Sequence, residues 1–258
     1  MESREVFKKL PQPFPMLHYL LDFIIGLGIG FMAGLLGVGG GFLIVPTLVL
    51  LGEPIHLAIG TSLTCIVLSS LSASITHIRR GAVLYRVVLL KEIFSVPFAV
   101  LGAYLSSRLP ERGLRLVFAF LLLYLAYTMA RKKCRPHDEE GAVHYSRVPV
   151  VGILSGLVSG LLGISGGVLN VPLFHTFVGI PMRYAVGTSS FALFFTALAG
   201  AFEHYRLGQV DLHMALLLAP GLIIGGRLGA LTAHRVHPKT LRRAFAGVLI
   251  LVALRMLL

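Results

Sequence analysis

The sequence predicts an all-α, polytopic membrane protein built from two homologous halves. Three observations carry that expectation. Of 258 residues, 56% are hydrophobic and only 13% charged, where a soluble domain carries roughly 25% charged residues. The apolar runs are long and nearly free of charge, at 17–51, 55–76, 87–107, 114–130, 148–180, 184–202, 212–233 and 244–258. Several reach the roughly 20 residues that a bilayer core demands of a helix. Finally, the chain repeats itself. Residues 30–46 (GFMAGLLGVGGGFLIVP) match 156–172 (GLVSGLLGISGGVLNVP) at an offset of 126, and Gly60-Thr61-Ser62 matches Gly187-Thr188-Ser189 at 127. His77 and Arg79 then align with His204 and Arg206, and Gly102-Ala103 with Gly229-Ala230. A duplicated, Gly-broken apolar unit is a common plan for membrane transporters.

The first membrane repeat spans 17–130, a hydrophilic linker 131–147, and the second repeat 148–258. The first 16 residues are polar and Pro-rich, and the apolar run behind them is too long for a signal-peptide core, so it is expected to stay as a membrane helix. The net charge of +12 falls in short loops, as cytoplasmic loops of membrane proteins require, which argues against a nucleic-acid partner. Cys65 and Cys134 form neither a disulfide framework nor a metal spacing. No metal or cofactor is expected. The expected partners are a small anionic substrate, the lipid bilayer and a further copy of the chain.

Each half divides into five apolar segments, A to E, giving four or five membrane segments per half. They lie near 17–38, 40–51, 55–77, 87–107 and 115–130, then 148–163, 166–178, 182–203, 211–233 and 240–258. Segment A carries glycines at four-residue spacing (Gly26, Gly30, Gly34; Gly152, Gly156, Gly160), a pattern that lets helices pack closely. Segment B is short. About 12 helical residues span about 18 Å, against a core of about 30 Å. It follows a glycine knot (Gly37, Gly39, Gly40, Gly41; Gly163, Gly166, Gly167) and contains Pro46 or Pro172, residues expected to break the helix. Segment C opens with Pro54 or Pro181, suited to a first turn. Segment D contains Arg227, whose counterpart is Val100.

Loop charges bear on orientation. The loop between C and D is basic in the first half (Arg79, Arg80, Arg86, Lys91). In the second half the loop between D and E is the basic one (Arg235, Lys239, Arg242, Arg243). That swap favours inverted halves, with 78–86 and 234–243 both cytoplasmic. The N-terminal Arg4, Lys8 and Lys9 vote the other way.

The glycine knots are the first candidates for chemistry. A broken helix exposes backbone N–H groups, and a helix N-terminus is partially positive, so anions bind there without a charged side chain. Gly39, Gly40, Gly41, Ser165, Gly166 and Gly167 are placed for that role. Asn170 stands where the first half has Ile44; an amide at membrane depth bonds either a ligand or another helix. Thr61, Ser62, Thr188 and Ser189 offer hydroxyl donors to an oxyanion, or else bond their own helix carbonyls. His77 and His204 suit gating or proton coupling, or are interfacial residues beside snorkelling arginines. Arg227, an intramembrane cation, would contribute charge to a substrate path. Gly163-Ile164-Ser165-Gly166 also fits the GxSG nucleophile motif of intramembrane serine proteases. Ser165 aligns with Gly39, however, and the repeat already explains the glycines.

The paired GLLGVGGGFLIVP and GLLGISGGVLNVP, each followed by a Gly-Thr-Ser triplet and a glycine-rich fourth segment, resemble the TauE/SafE (TSUP) family over about 230 residues. The resemblance implies a multi-pass transporter of the cytoplasmic membrane, not an enzyme, exporting small sulfur oxyanions such as sulfite or sulfonates. A passive anion channel shares every motif and remains the main alternative.

The knot is expected to act through backbone amides, not through the Ser165 hydroxyl. Ser165→Ala should therefore leave transport of the anion intact, measured as efflux from cells expressing the variant. A dead protein at normal expression would favour the protease alternative.

Overall fold

A computed structural model describes residues 15–36, 41–131, 143–164 and 166–233, with 247, 249–250 and 252–256 in the last segment. The described residues are almost wholly helical and contain no strand. The helices are α1 (Pro15–Leu36), α2 (Gly41–Leu50), α3 (Ile55–Arg79), α4 (Tyr85–Arg108) and α5 (Glu111–Arg131) in the first half. The second half has α6 (Val148–Leu162), α7 (Gly167–Leu173), α8 (Met182–Arg206) and α9 (Leu212–Ala233). Among the described residues, five helical stretches, lying in or running into α3, α4, α6, α8 and α9, are long and apolar enough to cross a membrane.

These boundaries follow the predicted segments closely, because hydropathy and punctuation agree. Pro54 and Pro181 directly precede the first turns of α3 and α8, where a missing N–H costs no helical bond. Gly81 and Gly208 follow those helices with φ of 62° and 70°, conformations in which a Cβ would be strained. The prolines of segment B behave differently from expectation. Pro46 lies inside α2, and Pro172 lies inside α7. Neither breaks its helix, because a proline one and a half turns from a helix start removes only one bond from the ladder. After Pro172 the helix widens into a π turn at Phe174–Val178, and the Thr176 hydroxyl donates to the Pro172 carbonyl at 2.7 Å.

The halves interlock by exchange. Helix α1 packs against α9 of the other half, and α6 against α4. The glycine stripes make both seams. A Cβ on Gly26 or Gly30 would overlap the carbonyls of Leu218 or Leu222. One on Gly152 or Gly156 would overlap those of Lys91 or Ser95. Lys91 and Ser95 are the 127-offset counterparts of Leu218 and Leu222, so one contact is made twice. In both seams the numbers rise together, so the paired helices run parallel. Between them α3 packs on α8. The Leu63 side chain sits against Gly200, and the Ser74 hydroxyl donates to the Ser190 carbonyl at 3.1 Å. There one number rises as the other falls, so these counterpart helices run antiparallel.

In a bilayer, apolar burial does not drive helices together, and close backbone packing must do so. Gly156→Ala forces a Cβ into the Ser95 backbone and should cost about 1–3 kcal/mol. Gly28, also on α1, has nothing within 4 Å of an added Cβ, so Gly28→Ala should be tolerated. Thermal unfolding in detergent distinguishes them; equal loss in both would show that the seam is not glycine-dependent.

Candidate functional site

The second knot is described from Gly163 to Ile164 and from Gly166 onward; Ser165 lies outside the described residues, as do Gly39 and Gly40 of the first knot. Helix α6 ends at Gly163, which is left-handed at φ 65°. A Cβ there would lie 2.8 Å from the Ile59 backbone of α3, so conformation and contact both require glycine. The Gly163 carbonyl accepts a 2.8 Å bond from the Ser62 hydroxyl. The knot of one half is thus tied to helix α3 of the other.

Behind the knot stands Asn170, fully buried in α7. Its backbone N–H donates to the Gly166 carbonyl at 2.6 Å. Neither polar atom of its side chain has a partner among the described residues. Leaving a buried polar group unbonded costs about 1–3 kcal/mol, and interiors rarely tolerate it without a reason. A Cβ added to Gly166 would sit 3.1 Å from the Asn170 Nδ2 and 3.4 Å from Leu193 Cδ1 on α8. Ile44, the counterpart of Asn170, is ordinary apolar core. Helix α2 packs on α3 and α7 on α8, because each short helix buries its apolar face on the long helix that follows it.

The Gly-Thr-Ser triplets perform matched structural work. Thr61 accepts a 3.0 Å bond from the Asp211 backbone N–H, and Thr188 accepts one of the same length from Leu84. Gly60 and Gly187 let the same two loops approach, at Gln209 and Ala82. All four counterparts are 127 apart. The triplets therefore lock the start of α9 and of α4 onto the opposite half. Ser189 is the exception: its buried hydroxyl has no partner among the described residues.

Lys91 is the main correction to the sequence expectation. It is not a loop residue. It is fully buried on α4, six residues from the helix start, about 9 Å along the axis. Its Nζ donates to Glu92 Oε1 at 2.7 Å and to Thr196 Oγ1 of α8 at 2.8 Å. Thr196 Oγ1 also lies 2.9 Å from Glu92 Oε2 and 2.9 Å from Ser95 Oγ. Glu92 is 11% exposed. A charged side chain at the centre of a spanning helix costs about 2.5–3.5 kcal/mol on the insertion scale, and the adjacent opposite charge offsets that cost. The repeat itself held the signal, since Lys91 and Glu92 align with the apolar Leu218 and Ala219.

The remaining candidates are dispersed. His204 is fully buried, with Nε2 3.0 Å from the Gly160 carbonyl and Nδ1 2.8 Å from Gln209 Oε1, so it pins the end of α8 to α6. His77 is half-buried on α3. Arg227 is exposed on α9, six residues before Ala233, and the structure does not bring it to Asn170 or Lys91. Gly41 and Gly167 are the first residues of α2 and α7. The predicted cytoplasmic loop 234–243 lies outside the described residues.

A bundle of apolar helices, several of them long enough to cross a membrane, is the architecture of a multi-pass membrane protein. The family model for the sulfite exporter TauE/SafE matches residues 22–256, and the chain belongs to that family. It is 32% identical to the probable membrane transporter protein YunE of Bacillus subtilis, over 93% of this chain and 98% of that one. A probable membrane transporter protein of Haemophilus influenzae is 30% identical, with 93% and 98% covered. One of Methanocaldococcus jannaschii is 27% identical, with 97% and 99% covered. No solved structure matches the chain.

Proposed function

We propose that this protein is a secondary transporter that exports a small sulfur oxyanion, sulfite or a sulfonate, across the cytoplasmic membrane by alternating access. The observation that carries the proposal is Asn170: a fully buried amide whose side-chain atoms have no partner among the described residues, in a short helix that begins directly after the glycine knot. Such segments mark transporter binding sites. An arriving oxyanion accepts from the amide N–H₂ and gives those donors a partner. The family description supports the sulfur oxyanion as the substrate class.

The antiparallel course of α3 and α8 supports inverted halves. Alternating access then follows as a rocking of one half on the other, with the knot and Asn170 opening to each side in turn. The halves are held at discrete glycine seams, which suits a motion between two packed states.

The test is sulfite efflux from proteoliposomes containing the purified protein, beside Asn170→Ile, which installs the first-half residue. Replacing an unbonded buried amide by an apolar group should leave stability unchanged or raise it by about 1 kcal/mol. Efflux should be lost. Normal efflux from the variant would reduce Asn170 to packing, and an inactive wild type would refute sulfite as the substrate.

A further inference from the structure

We propose that Lys91, Glu92 and Thr196 form a proton-and-anion binding site, in which protonation of Glu92 frees the Lys91 ammonium to pair with an oxyanion substrate. The inference rests on the anion-transporter reading above and adds to it the coupling ion and its residue.

The geometry gives the reason. Lys91 is fully buried, and its ammonium carries three donors. Two have acceptors, Glu92 Oε1 at 2.7 Å and Thr196 Oγ1 at 2.8 Å; no acceptor for the third is found among the described residues. Glu92 occupies the place that a small anion would take. Thr196 can both accept from the ammonium and donate to a carboxylate or to an incoming oxyanion. Ser95 Oγ, 2.9 Å from Thr196 Oγ1, holds that hydroxyl when Glu92 turns away.

Charge balance then sets the stoichiometry. In a low-dielectric interior, a net buried charge is costly and a neutral set is tolerated. The resting pair, ammonium with carboxylate, is neutral. When Glu92 takes a proton from hydronium, an O–H bond of the hydronium breaks to leave water, an O–H bond forms on Glu92, and the ammonium keeps its own three protons, leaving one positive charge. A monovalent anion restores neutrality. One proton and one anion therefore bind together. Among the described residues of the helices packed on α4, no other charged side chain competes. Helix α6, packed against α4, has no titratable residue between Val148 and Leu162. Helix α8 has none between Tyr184 and Glu203, and the next charge on α4 toward the helix start is the exposed Arg86.

The site also lies where a coupling site must lie. Lys91 and Glu92 belong to the first half and Thr196 to the second, so the network spans the surface on which the halves move. Ser189, Leu193 and Thr196 stand at i, i+4 and i+7 of α8, one helix face. Leu193 lies beside Gly166 of the knot, and Thr196 holds the ion pair. That face links Asn170 to Lys91. The pair is absent from the other repeat, where Leu218, Ala219 and Ser69 align with Lys91, Glu92 and Thr196. One coupling site per chain follows.

Infrared difference spectroscopy on the full chain in liposomes reads a protonated carboxyl group directly, with sodium sulfite as the probe anion. Acidification should raise a carboxylic-acid C=O band that Glu92→Gln abolishes. Adding sulfite at constant pH should raise the same band. Lys91→Met/Glu92→Gln keeps the site neutral and guards against a folding failure in the single variant; it should fold, lack the band and lose the pH dependence of sulfite efflux. The proposal is overturned if no band disappears with Glu92→Gln, if sulfite leaves the band unchanged in protein that transports sulfite, or if the double variant keeps wild-type pH dependence. A wild type that neither binds nor carries sulfite overturns the assignment of that anion to Lys91 and the substrate reading together, while the pH-induced band still decides whether Glu92 takes the proton.

Discussion

Close contact of backbone with backbone at the glycine seams is the constraint on which the rest of the structure depends. Helix α1 meets α9, and α6 meets α4, at glycines that have no room for a Cβ. Lipid tails are as apolar as leucine, so burial alone does not bind helices in a bilayer, and van der Waals fit of small residues takes over. Each seam joins one half to the other. Neither half buries its own glycine stripe, so the fold is complete only when the two are interleaved.

From that exchange the polar architecture follows. Once the seams set the spacing, the loops before α4 and α9 fall against Gly187 and Gly60, and Thr188 and Thr61 bond their backbones. The same closeness ties the Gly163 carbonyl to Ser62 and the Gly160 carbonyl to His204. These bonds satisfy carbonyls at helix ends where water is scarce. Against this matched background two departures from symmetry stand out. The Asn170 side chain has no partner among the described residues, and Lys91 with Glu92 brings charge where the other repeat is apolar. Both belong to the set of polar groups that lie beside α8, which touches the knot and the ion pair.

Much of this was legible in the sequence. Hydropathy and proline placement located the helices to within a few residues, because each segment is bounded by Pro, Gly or charge. The spacing of Gly26, Gly30, Gly152 and Gly156 announced close packing, though not the partner; pairing across halves is a tertiary fact without a local signature. Asn170 was visible as an amide in an apolar run. Lys91 was misplaced because a Lys-Glu pair near the start of an apolar stretch looks like a loop end, whereas α4 begins six residues earlier at Tyr85. The hydroxyls of Thr61 and Thr188 looked like ligand donors, and only the fold shows them capping a neighbouring loop. Arg227 drew attention as an isolated cation, yet exposure on the outer side of α9 follows from a rotation that sequence alone does not set.

The proposal most directly open to test is that the two halves are inverted across the membrane. Arg80 and Leu207 are counterparts, 127 apart, each exposed at the end of α3 or α8. Single cysteines at these positions, in a protein without Cys65 and Cys134, can be probed with a membrane-impermeant thiol reagent in intact cells and in inverted vesicles. Inverted halves predict that one position labels only in cells and the other only in vesicles. Labelling of both from the same side would contradict the account.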